Sequence, residues 1–161
     1  MWKYESCDFE NVSLHDHLIE RIQTSRNDIL FIFDKGFDIA ATHPLNDTGK
    51  SKRTATSQIV LRNAKFLKGV VHHWEFHEKR DTQEEVDLAW LIDSYCNFEV
   101  LDWVLDCKEK NCMVSLHGNV CRKDSSKSEY SEFVFSCNSV LFCWNDYSED
   151  AWFEGWSEHT C

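Results

Sequence analysis

Between Ile29 and Phe33 every position is apolar, so a strand here has two apolar faces and belongs inside a sheet. Asp34-Lys35-Gly36 then reads as a turn or bulge, after which Phe37 and Ile39 resume the alternation. Just upstream the pattern fits two elements. Leu14, Leu18, Ile19 and Ile22 fall at helical spacing behind the cap-like Ser13-Leu14-His15-Asp16. Against the helix, Ser25-Arg26-Asn27-Asp28 has the composition of a hairpin turn. It favours a strand over about residues 17–24, antiparallel to the apolar run. Trp2 and Tyr4 alternate with polar neighbours, as in an edge strand.

Further along, residues 42–54 carry Pro44, Asn46-Asp47, Gly49 and several cations, the composition of an exposed loop. Ile59 and Leu61 begin a strand, Gly69 reads as a bend or turn between two strands, and residues 72–77 form the next, with Trp74 and Phe76 on one face. Thr82-Gln83-Glu84-Glu85 resembles a capping box, and Val86, Leu88, Ala89, Leu91, Ile92 and Tyr95 continue an apolar stripe, which predicts one helix from about Asp81 to Asn97. Beyond it, Phe98 to Leu105 and Met113 to Cys121 read as strands joined by a polar turn at Lys108 to Asn111, with Gly118 as a bulge, and Phe133, Phe135 and Cys137 form another alternating strand, followed by the apolar Val140 to Trp144. The expected fold is α+β, a bent antiparallel β-sheet of about six to eight strands with one helix packed on it, in a single domain over residues 1–161.

The first quarter of the chain resembles small uncharacterised single-domain bacterial proteins, through Phe9, Val12, Leu14-His15-Asp16, Ile19, Ile22 and the Gly36-Phe37 that follows the apolar strand. Some proteins of similar small α+β build are immunity proteins that neutralise toxins. The resemblance therefore implies strand rather than helix over residues 17–24, and it implies no catalytic residue.

Composition narrows the function classes. Aromatic residues make up 14% of the chain and there is a single Pro, which suits a packed domain. The net charge of −11 argues against nucleic acid or an anionic membrane as partner and for a basic protein. An export signal and a spanning apolar run are both missing from the pattern, so a cytoplasmic location is expected, with all eight cysteines as free thiols.

Chemistry is thinly signalled. His73, Glu75 and His77 would share one strand face, a donor set known for zinc or iron, although one straight strand spaces them too widely for a common ion and a polar outer face explains them as well. His15-Asp16-His17 could hold an oriented imidazole or a turn. The usual nucleophile, phosphate-loop and dinucleotide motifs are missing, so neither an enzyme nor a cofactor is expected. The tail interleaves Tyr147, Glu149, Asp150, Trp152, Phe153 and Trp156, a mixture suited either to a partner surface or to covering the end of the sheet. The expected function is a non-catalytic cytosolic protein-binding module, of the kind that could inhibit a basic toxin. The alternative is a small-molecule or metal-binding protein built on the His-rich strand.

Overall fold

The computed structural model describes residues 1–75, 78–109, 111–123 and 127–156, with backbone alone at Cys96. In chain order its strands open with β1 (Tyr4–Ser6), β2 (Val12–Ser13), β3 (His17–Ile19), β4 (Arg21–Ser25) and β5 (Asp28–Phe33). Next come β6 (Asp38–Ile39), β7 (Lys52–Thr54), β8 (Ser57–Arg62), β9 (Lys65–Glu75) and β10 (Arg80–Glu85). After a short helix, α1 (Leu88–Asp93), follow β11 (Tyr95–Lys108), β12 (Asn111–Arg122), β13 (Ser128–Cys137), β14 (Ser139–Trp144) and β15 (Tyr147–Asp150).

These strands form three antiparallel sheets among the described residues, where one bent sheet was expected. A five-stranded sheet runs β1-β14-β8-β5-β4, a six-stranded sheet β10-β9-β13-β12-β11-β3, and a four-stranded sheet β15-β7-β6-β2. The fold is mainly β, with little helix.

The apolar run becomes β5, between β4 and β8, and Ile29, Phe31 and Phe33 point into the core while Leu30 and Ile32 are half-buried. Strand prevails over helix in residues 17–25, but as two strands serving two sheets. β4 pairs with β5 around a tight turn at Arg26-Asn27, where Arg26 has φ 58°, whereas β3 pairs with β11. The chain crosses from one sheet to the other at Glu20, whose N–H donates to Ile32. Inner faces of the two large sheets meet through Phe31 against Phe135 and Trp103 against Phe142, with ring centroids 5.3 and 5.7 Å apart.

Several local expectations give way to pairing. Thr82 to Glu85 lies in strand β10, not a helix, because a turn through Glu78-Lys79 folds the chain back and sets Thr82 opposite His73. The helix starts only after Asp87, whose Oδ1 accepts from the Trp90 N–H at 2.8 Å, and it has six residues. Gly69 is inside β9 rather than at a turn, paired with Phe133 of β13, and glycine is required there because a Cβ would meet the Phe66 ring at 2.6 Å. The bulge expected at Gly118 falls on the partner strand, between Val100 and Asp102. His43 and Asn46 in the supposed exposed loop are buried, and that loop ends in β7.

The cysteines depart most from expectation. Cys107 and Cys112 face each other across the β11–β12 hairpin, with Cα atoms 4.0 Å apart, and are joined as a disulfide. Not all eight thiols are free, and the cysteine argument for a reducing compartment falls. Cys137 and Cys143 are buried thiols, as expected for small apolar residues in strands, and burial pushes both up to about 11. No helix among the described residues is long and apolar enough to cross a membrane.

Candidate functional site

The six-stranded sheet carries polar chemistry on both faces of one end. Alternation along β9 sends Val71 and His73 to the inner face and His72 and Trp74 to the outer face. β13 pairs Ser131 with Val71, so Glu129 comes level with His73, and Arg122 approaches from the end of β12. The His73 ring is held between two carboxylates, Nδ1 at 2.5 Å from Glu129 and Nε2 at 2.9 Å from Glu84. Arg122 donates to the same two acids through Nε and Nη2, and its guanidinium lies over the Trp90 ring at 5.2 Å.

This cluster ties β9, β10, β12 and β13 together with α1. Burial works to lower the His73 pKa, but the hydrogen bonds that the ring donates to Glu129 and Glu84 outweigh it and raise it above the ordinary 6.5. Arg122, ahead of burial and His73, holds Glu84 below the ordinary carboxylate value. Each acid already has two cationic partners. The arrangement is an ionic lock in which both ring nitrogens of His73 and the Nε and Nη2 of Arg122 are engaged.

Of the expected metal ligands, His73 sits in that lock and Glu75 is exposed at the end of β9 opposite Arg80. His77 lies outside the described residues. Among those described, no cluster of three or more His, Cys, Asp or Glu side chains has a geometry that could hold a metal ion. Sequence reasoning missed Glu84, Glu129 and Arg122 as partners of His73. Only β-pairing brings them together, and no local spacing signals it.

On the outer face, His72 Nδ1 is 3.0 Å from Asp81 and its Nε2 3.8 Å from Glu132. The Tyr130 ring packs beside it, centroids 5.4 Å apart, and the Tyr130 hydroxyl is 3.3 Å from His117 Nδ1. Register places Asp102 opposite His117 and Glu99 opposite Asn119, so carboxylates from three strands, β10, β11 and β13, surround a small aromatic and imidazole centre. Trp74 stands 54% exposed at the rim. An open cleft of about 730 Å³ wraps this end of the sheet, lined by His72, His73, Trp74, Glu75, Asp81 and Tyr130 among others.

The tail is organised differently from a free acidic surface. Glu149 pairs with Arg53, Asp150 with Lys52 and Lys50, and the Glu154 carboxylate accepts from the Ser51 N–H. Tyr147 packs near Tyr4, Phe153 is half-buried, and Trp152 and Trp156 remain exposed, edge to face with centroids 5.1 Å apart.

The His15-Asp16-His17 triplet is divided. His15 and Asp16 are exposed, with Asp16 at φ 61° donating its N–H to Val100. His17 is buried, Nε2 3.0 Å from the fully buried Asp38, whose other oxygen accepts from Arg53 at 3.0 Å. That group pins β3 to β6 and β7, which is a structural task. Comparison with protein-family models, curated proteins and solved structures finds no match to this chain.

Proposed function

We propose that this chain is a non-catalytic binding module that docks a basic protein on the outer face of its six-stranded sheet. The observation that carries the reading is the patch of Asp81, Glu132, Asp102 and Glu99 around His72 and Tyr130, with exposed Trp74 beside it. Carboxylates there supply the field that draws in a cationic partner, and the aromatic rings supply contact area. The net charge of −11 extends that field over the molecule. A secreted or injected basic toxin, neutralised by an immunity-type inhibitor, is the kind of partner that the N-terminal resemblance suggests. Trp152 and Trp156 form a second, apolar contact in this reading.

The test is affinity capture from the source cells, followed by titration with the purified partner. Asp102→Lys combined with Glu132→Lys is expected to slow association at least tenfold at about 0.05 M salt, and the difference should shrink near 0.5 M. A partner that associates equally fast with wild type and the double variant removes the sheet face from the reading.

A further inference from the structure

Among the described residues strand β10 is an edge of the six-stranded sheet and pairs only with β9. Val86 donates its N–H to Gly69, which extends the β10 register by one residue and shows which backbone groups point toward β9. By alternation residues 82, 84 and 86 face β9, and the N–H and C=O groups of Asp81, Gln83 and Glu85 point away from it. Among the described residues none of these outward groups has a backbone partner.

Between Asp81 and Asp87 every charged side chain of this edge is an acid, with Arg80 at the start of β10 and Lys68 on β9 as the neighbouring cations. Asp81 and Glu85 flank the open groups on the outer face, continuous with the acidic patch at Glu132. Beyond the end of the strand lies a hollow of about 400 Å³ lined by Glu84, Glu85, Val86, Asp87 and Trp90. The indole of Trp90 already stacks on one guanidinium, that of Arg122. Its surroundings thus suit planar cations.

We infer that the β10 edge is a strand-addition site for an extended segment of a partner protein with Lys or Arg at alternate positions. The added strand hydrogen-bonds to the open groups of Asp81, Gln83 and Glu85. One set of its side chains lies beside Asp81 and Glu85, and a cation at its end enters the hollow beside Asp87 and Trp90. Backbone pairing supplies affinity and the alternate cations supply choice of partner. This rests on the proposed binding function and adds the mode of contact.

The test uses the full chain and a labelled synthetic peptide of alternating Lys and Thr, about eight residues long to match an ordinary strand. Three ligands are compared: this peptide, a version N-methylated at alternate residues so that it cannot complete the ladder, and a version with Glu for Lys. Expected are saturable binding of the first, at least tenfold weaker binding of the other two, and at least tenfold slower hydrogen exchange at the amides of Asp81, Gln83 and Glu85 in the complex. Gln83→Pro, which removes one outward N–H while leaving the charge unchanged, should weaken binding at least tenfold with the melting temperature retained. If that variant fails to fold, Asp81→Lys with Glu85→Lys gives the same reading through charge. Equal binding of the N-methylated peptide, unchanged exchange, or no binding of the first peptide overturns the inference and leaves the acidic side chains as a guard against edge pairing only. Should a captured basic partner bind Gln83→Pro normally yet depend on Asp102 and Glu132, the inference fails while the binding function stands.

Discussion

Phe31 and Phe33 are 1% and 0% exposed, and Phe31 meets Phe135 across the two large sheets. Replacing either by Ala should cost about 3–5 kcal/mol, seen as a large fall in the urea midpoint. An unchanged midpoint would remove β5 from the core. His73 makes a different, pH-dependent contribution through Glu84, Glu129 and Arg122. Its pKa is raised, so its stabilisation is complete below the ordinary 6.5 and is lost as pH rises through the folded value. Glu84 is lowered, so its share is present above the ordinary 4.5 and disappears as pH falls through its folded value. The difference in urea midpoint between wild type and His73→Gln should therefore be largest between the ordinary values of Glu84 and His73, at about pH 5.5, and shrink as pH rises through the raised folded value of the ring. A difference independent of pH would show that the ring contributes by packing alone.

Between elements, close approach and pairing decide what propensity leaves open. At Gly118 a Cβ would lie 1.9 Å from the Glu99 carbonyl oxygen and 2.8 Å from the Phe98 ring. Backbone cannot yield as a side chain can, so Gly118→Ala should cost about 1–3 kcal/mol by denaturation. The hairpin bridge closes a short loop, and Cys107→Ser with Cys112→Ser should cost about 2 kcal/mol at most. Alkylation after unfolding without reductant should leave the peptides containing Cys107 and Cys112 linked to each other and unlabelled; label on both would remove the bridge. Their apposition was legible only in part. The polar turn between residues 108 and 111 was visible in the sequence, but not that its register sets Cys107 level with Cys112. The segment 82–97 shows the opposite error, for its acidic start and apolar stripe do suit a helix. Pairing with β9 outweighs that local preference for its first four residues.

Across the whole molecule, charge and shape separate two surfaces. The acids of the tail are paired with Lys50, Lys52 and Arg53, whereas the outer face of the six-stranded sheet gathers Asp81, Glu99, Asp102 and Glu132 around His72 and Tyr130. Because Trp152 and Trp156 are exposed, replacing both by Ala should change stability by about 0.5 kcal/mol or less while weakening partner affinity. Unchanged affinity in that variant would take the tail out of the interface and leave the sheet face in it. Apolar runs alone determined the positions of β5, β8, β13 and β14, and at β13 the alternation of Phe133, Phe135 and Cys137 also determined the inward side, since a period of two assigns every side chain to a face. Turn chemistry determined the hairpin at Arg26-Asn27, where the contacts are local. Tertiary structure alone decided that the strands divide among three sheets, that β10 ends one of them, and that His73 meets Arg122 across 49 positions of sequence. The physical reason is that a strand's pattern states which way its side chains point and says nothing of which strand lies beside it. Ion pairs, the disulfide and the open edge all depend on that neighbour.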